Sequence, residues 1–406
     1  MIRQGFFVLS LLPSFVLAAA PEDALRPVWK DPRLKLHQES VKIVSDAKSI
    51  NPLEKADLRI DRGQLEQDDV KYALRFYPKG YTEHRTTQEF QSSLEKNEKA
   101  AQAAMLSQLL SSRYDLLARI ALFKEKKEIS DRFAEVGKKA SRALSYSAQK
   151  DRAELKSYLK NKADLDKINI KIADSERDYQ KLQAELKDLS LGNIESFDLS
   201  DFASIQDLKQ KLDAAADTDT SKTLSAQTAE MDLIASRAGM NYERARDEKW
   251  FDHLEVSISD VQKETIYGFE FAFNLPFASA PNLSRVSKEA RDLRDKASLI
   301  ETVKVSEREF KNSVIELKTL LKVHETLQNS LSAMSPEQMR KASKSIAATD
   351  PMLALELQRG WYESREQLLD LEYRIRALYI VYLHESATLV NQPEVNHFSK
   401  SQKRIL

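Results

Sequence analysis

Histidine is the side chain best suited to moving protons or binding metal near neutral pH. This 406-residue chain has six: His37, His84, His253, His324, His384 and His397. They are scattered, and none stands at the short spacing of a zinc pair. There is no glycine-rich phosphate loop, no nucleophile elbow and no cysteine. The many carboxylates read as charged helix faces. No catalytic residue, metal site or cofactor is expected, and the chain does not read as an enzyme. The spacing that does carry a signal is apolar. Thr265, Tyr267, Phe269, Phe271 and Phe273 fall on one face of a strand, with Ile266, Gly268, Glu270 and Ala272 on the other. An apolar face opposite a small or polar one suits a membrane barrel strand. Taken alone, it favours the commoner soluble hairpin with one buried face.

The elements that would position this strand occur twice. Each copy reads as strand, strand, very long helix, polar turn, second long helix. In the first copy the strands are expected at 70–77 and 81–90, the helix from 91 and the turn at 146–151. Residues 70–77 alternate cleanly, whereas 81–90 offer no apolar face. The helix from 91 would run about 56 residues, or ~84 Å. In the second copy the strands are expected at 254–261 and 265–273, the helix from 282 and the turn at 347–351. Leu283, Val286, Ala290, Leu293, Ala297 and Ile300 form a heptad seam. It is matched after the turn by Trp361, Ser364, Leu368, Leu371, Ile375, Leu378 and Tyr382, which predicts an antiparallel helical hairpin.

Before the first copy, 21–36 reads as irregular because of Pro21, Pro27 and Pro32, and 39–69 as helix broken at Asn51 and Pro52. Between the copies, a loop region with a short helix at 205–215 leads to a helix at 222–249. The expected organisation is therefore a signal peptide at 1–19 and an N-terminal segment and helix at 20–69. The first repeat follows at 70–189, an inter-repeat segment at 190–249, the second repeat at 250–390 and a basic tail at 391–406.

Arg3, the apolar run 6–20 and the small residues Ala18, Ala19 and Ala20 read as an export signal, with cleavage expected after Ala18 or Ala19. At about 15 residues and carrying Pro13, the run is too short to span a bilayer. Without cysteine there is neither a disulfide nor a lipid-anchor residue. Eight glycines, 31% charged residues and zero net charge fit long helices and give no sign of a nucleic-acid partner. Four strands cannot close a barrel, for which ~8 is the practical minimum. Three copies would supply twelve, and closure removes exposed edges.

Two runs carry a family resemblance. Tyr-Gly-Phe-Glu-Phe-Ala-Phe-Asn-Leu-Pro-Phe at 267–277, followed by a heptad helix, resembles the last strand and next helix of TolC-type outer-membrane efflux channels. Asp-Pro-Met-Leu-Ala-Leu-Glu-Leu-Gln-Arg at 350–359 is similar to that family's turn at the periplasmic tip, with a fainter copy, Asp-Arg-Ala-Glu-Leu-Lys-Ser, at 151–157. In this chain 278–282 replace the family's glycines. The resemblance covers the order of elements across the mature chain.

It implies a mainly α fold with a small β part, in which duplicated helical hairpins form an α-barrel. Four strands per chain would enter a trimeric twelve-stranded β-barrel in outer-membrane lipid, with Tyr267, Phe269, Phe271 and Phe273 facing the lipid. It also implies a passive exit duct for efflux or type I secretion, reached from an inner-membrane pump or ABC exporter through a periplasmic adaptor, the membrane fusion protein. Glu356 falls where the family carries an acid at the constriction. Leu353 sits one turn earlier, Glu154 takes the corresponding place in the first repeat, and Asp151 and Asp350 stand at the tip turns. The two aspartates suit helix N-termini equally well, and the two glutamates suit a solvated face. A periplasmic coiled-coil structural or adaptor protein with soluble hairpins is the alternative reading.

Overall fold

The computed structural model describes residues 19–47, 52–62, 70–147, 152–215, 223–261, 264–274, 283–332 and 351–406, with isolated positions at 338, 341, 345 and 346. The elements are α1 (Pro21–Leu25), α2 (Pro32–Asp46), β1 (Leu53–Arg62), β2 (Val70–Pro78), α3 (Tyr81–Ser147), α4 (Arg152–Asp188), α5 (Ile205–Ala215) and α6 (Leu224–Asp247). They continue with β3 (Phe251–Val261), β4 (Glu264–Phe273), α7 (Leu283–Ser332), α8 (Pro351–Glu385) and α9 (Thr388–Asn391).

The sheet is antiparallel throughout in the order β1-β2-β3-β4. Its two halves come from the two repeats and meet at β2–β3. Leu53 faces Pro78 and Phe251 faces Phe273, so the ends of the strands that connect to helices lie together. α2, α3, α6 and α7, the helices joined directly to strands, all connect at that one end of the sheet.

The longest, α3, has 67 residues, ~100 Å of continuous rod. Near the sheet it packs on α2 and α6, and further away on α4 and α8. α8 runs back antiparallel to α3: Ser107 meets His384 at 2.7 Å, Asp115 meets Tyr373 at 3.0 Å and Glu125 meets Arg365 at 3.0 Å. α7 leans on α6 through Arg237–Asp292 and Arg244–Glu289, and on α8 through stacked Phe310 and Tyr382. Local chemistry sets the starts. Asp31 caps α2 by accepting from Arg33 N at 2.9 Å, with Pro32 in the first turn, and Thr223 caps α6 by accepting from Ala226 N at 3.2 Å.

The core is a waist around the middle of α3. Leu110, Tyr114, Leu117 and Ile120 of α3 meet Ile375, Tyr379 and Leu383 of α8, joined by Leu182, Leu186, Phe197 and Phe398. Both ends of the described chain are stitched in here. Buried Asn396 donates to Glu22 at 2.7 Å, Arg26 Nε donates to Ile405 O at 2.8 Å, and Lys211 Nζ donates to the carbonyls of His397 and Ser399. Burial in this waist, with the Lys211 charge nearby, holds the His397 imidazole down to about 4. A depressed histidine favours the neutral form, so the unfolded chain binds the proton more readily. That stability is complete above pH 6.5 and is lost as pH falls toward 4, about 3 kcal/mol in all. Chemical denaturation from pH 7 to 4 is expected to show a shallower acid loss in His397→Gln than in the native sequence; equal slopes would contradict this.

The structure corrects four expectations. Residues 81–90 are helix, the first turns of α3. Glu83 Oε2 accepts from Gly80 N at 3.2 Å, and Thr86 and Thr87 donate their hydroxyls back to Glu83 O. The missing strand is β1, inside the segment read as helix. The first repeat's strand pair is therefore β1–β2, and the polar strand disappears. Residues 21–36 are not irregular, because they form α1, a 3₁₀ turn at Arg26–Lys30 and the start of α2. The α7 seam is also only half used within the chain: Phe310, Leu317 and Leu321 are buried, while Val286, Leu293 and Ile300 are exposed. The turn at 347–350, like residues 1–18, lies outside the described residues.

Candidate functional site

The register lines up side chains in rows across all four strands. Ile60, Tyr72, Ile258 and Tyr267 form one row, and Leu58, Leu74, Val256 and Phe269 the next. Ala56, Phe76, Leu254 and Phe271 make a third on the same face. The opposite face carries Asp57, Arg75, Glu255 and Glu270 in one row, and Arg59, Ala73, Ser257 and Gly268 in another. A Cβ at Gly268 would meet Ser257 Oγ at 2.6 Å, so a larger residue there would require that hydroxyl to turn away.

Burial is the reverse of a water-soluble sheet. On the apolar face Tyr267 is 68% exposed and Phe269 70%, whereas Glu255 on the charged face is 2% exposed. Glu255 is held by Arg75 Nε and by Lys71 Nζ at 3.0 Å. A buried carboxylate is tolerable only when paired in this way. The helix-proximal end of the sheet is ringed with aromatics. Exposed Trp250 stacks on Phe273 at 5.6 Å, Phe251 meets Phe273 edge-on, and Tyr77 lies against His253. Sequence reading found the β4 face but missed Leu58 and Ile60 of β1 and the Trp250 and Tyr77 contributions. The available signal was the alternation of Ala56, Leu58 and Ile60 with Asp57, Arg59 and Asp61.

The far tip is reached by the start of α4 and the start of α8. Glu356 and Leu353 stand exposed in the first turns of α8. Glu154 lies in the first turn of α4, and Asp151 and Asp350 lie outside the described residues. α4 and α8 both run away from the tip, and Lys171 of α4 comes within 3.9 Å of Glu366 of α8. Counting back from that contact, Glu154 stands about seven residues, or ~10 Å, nearer the tip than Glu356. The structure thus brings the two acids to the same end but at different levels. A groove between α3, α4 and α8 on the way to the tip is lined by Lys126, Lys167, Lys171 and Arg359 along with Glu363 and Glu366.

Among the described residues, no cluster of His, Asp or Glu is arranged to hold a metal. No described helix is long and apolar enough to cross a membrane. The apolar face of the sheet is exposed.

No protein-family model matches the chain, and no curated protein matches it in sequence. Solved structures do match. CusC, described in terms of folding and transmembrane channel formation, superposes with a TM-score of 0.63 at 13% identity over 89% of this chain and 91% of its own. The outer-membrane protein VceC of Vibrio cholerae gives 0.62 at 15% identity over 91% and 93%. The open-state outer-membrane channel MtrE of Neisseria gonorrhoeae gives 0.59 at 14% identity over 90% and 85%. Duplicated helical hairpins, a four-stranded antiparallel sheet at one end and superposition over nearly the whole length give this chain the fold of the TolC-type outer-membrane channels.

Proposed function

We propose that the protein is an outer-membrane channel, a passive exit duct for efflux or type I secretion. In this reading an inner-membrane pump or ABC exporter supplies cargo and energy through a periplasmic adaptor. The observation that carries the reading is the inverted sheet, with aromatic and aliphatic rows outward and a paired, buried carboxylate inward. Such a sheet is unstable facing water and stable facing lipid, with Tyr267, Phe269, Phe271 and Phe273 toward the hydrocarbon. Ten-residue strands extend ~33 Å, enough for an apolar band of ~25 Å once tilted. Trp250, Phe251 and Phe273 then form the girdle at the periplasmic interface.

The open edges β1 and β4 support a homotrimer. β1 follows α2, whose Leu36 and Ile43 are exposed seven residues apart; β4 leads into α7, whose Val286, Leu293 and Ile300 are exposed at the same spacing. Pairing β4 of one copy with β1 of the next brings these stripes together and closes twelve strands. At the tip, Glu356 and Glu154 become two acidic collars at different heights, with Leu353 between them. Asp151 and Asp350, which precede α4 and α8 in the sequence, are proposed as contacts for the adaptor. Acidic collars in a narrow pore favour cations.

The test is fractionation followed by planar-bilayer recording. The protein is expected in the outer-membrane fraction as a detergent-stable trimer that conducts. Glu154→Gln with Glu356→Gln is expected to weaken cation preference and cation block. A soluble monomer or dimer would overturn the channel, and unchanged selectivity in the double variant would remove the collars alone.

A further inference from the structure

At the waist, α3, α7 and α8 meet the segment that enters α5 around a cleft of 340 Å³. Arg376 of α8 lines it with 8% of its side chain exposed. Its guanidinium lies over the Phe202 ring at 5.4 Å, and Nη1 reaches Glu372 Oε2 at 3.4 Å. Nε has no acceptor among the described residues. A buried donor left in this state is rare. The aromatic face and the carboxylate hold the guanidinium in one orientation, with Nε buried and unpaired at the wall of the cleft.

A second feature converges on the same cleft. Ser204, Ile205 and Gln206 line it as the amino end of α5. The Ser204 hydroxyl accepts from Asp207 N at 3.2 Å and donates to Asp207 Oδ2 at 2.8 Å, which closes the cap. The amides of Ile205 and Gln206 belong to the helix end that has no intrahelical acceptors and carries the positive pole of the dipole.

Five ionisable groups face the cleft, from all three long helices. Glu125 of α3 is bound by Arg365 of α8 at 3.0 Å. Glu372 of α8 is shared between His324 of α7 and Arg376, each at 3.4 Å. Both carboxylates are therefore paired with cations, and Arg376 Nε is the buried donor of the cleft left without an acceptor. We propose that this cleft binds a small oxyanion, a phosphate or a short carboxylate, seated between Arg376 Nε and the first-turn amides of α5. Charge-assisted hydrogen bonds to a guanidinium edge and to helix amides are the usual means of holding such groups. A bound anion would tie α5 to α8 and, through Glu372 and His324, to α7. The proposal does not depend on the channel reading, since it concerns only the folded waist.

The test uses the purified full-length protein in detergent. Thermal unfolding and calorimetric titration are run with inorganic phosphate and with succinate, at ionic strength held constant with chloride. A saturable rise in melting temperature with one of them is expected, and which one saturates separates the two sources. Arg376→Lys keeps the charge but loses Nε, and Gln206→Pro deletes one amide in a first turn that tolerates proline. Each is expected to weaken binding roughly tenfold, the loss of one charge-assisted hydrogen bond. If Arg376→Lys does not fold, Gln206→Pro decides. The site is overturned if neither anion stabilises the native protein beyond chloride, in which case the cleft holds water only. It is also overturned if binding is unchanged in the variants that fold.

Discussion

Phe269→Arg is expected to leave the protein out of the membrane. Phe269 sits in the middle of β4, at the β4 end of the row Leu58, Leu74, Val256 and Phe269, and is among the most exposed apolar side chains of the sheet. An arginine on a lipid face at mid-bilayer costs ~2–4 kcal/mol. A closed trimer would carry it three times, roughly 6–12 kcal/mol, comparable to the whole stability of a typical domain. Glu270→Gln, one residue along on the charged face, is the control and is expected to assemble. The readout is trimer recovered from the outer-membrane fraction. Normal insertion of Phe269→Arg would reverse the assignment of the two faces.

The second large effect belongs to the waist. Tyr114 is fully buried; its hydroxyl donates to Val395 O at 3.0 Å and accepts from His397 N at 3.1 Å, and its ring meets Phe398 edge-on at 5.1 Å. Burial raises its pKa, so it stays a neutral donor. Tyr114→Ala empties a ring-sized space and strands two backbone groups, which predicts a loss of about 3–5 kcal/mol. Tyr114→Phe keeps the ring but strands the same two backbone groups, and is expected to cost about 1–3 kcal/mol. Chemical denaturation measures both. Limited proteolysis should show 395–406 cut first in Tyr114→Ala; a tail as protected as in the native protein would show that Phe398 and Ile405 anchor it without Tyr114.

The doubled unit was readable because two periods alternate in the chain. Period two marks 70–77 and 265–273, and heptads mark the helices, so the order of strand, strand, helix, helix came out correctly in both copies. The first copy was displaced by one element, for a chemical reason. β1 is built from Glu54, Lys55, Asp57, Arg59, Asp61 and Arg62 around Ala56, Leu58 and Ile60, a composition that suits a solvated helix. Its period of two is the better guide, because Asp57, Arg59 and Asp61 fall on the face opposite Ala56, Leu58 and Ile60. Residues 81–90 erred the other way: Thr86 and Thr87 favour strands, yet their hydroxyls are satisfied by helix carbonyls. The aromatic face of β4 was legible for its simple alternation. The cleft at the waist was not, since Glu125, Gln206, His324 and Arg376 come from four separate stretches of chain.

The junction of the two half-sheets has a kinetic consequence. The β1–β2 and β3–β4 hairpins are local, but the ladder between β2 and β3 joins distant residues: Arg75 and Glu255 are 180 residues apart. Closing so long a loop carries an entropy cost that local hairpins escape, and contacts of high sequence separation form slowly. The intervening helices α3 to α6 shorten the search once they have packed, because they bring Pro78 and Phe251 back to the same end of the bundle. The sheet is therefore assembled late, on a finished helical frame. A defect at the waist would slow the union of the two hairpins without altering a single strand residue.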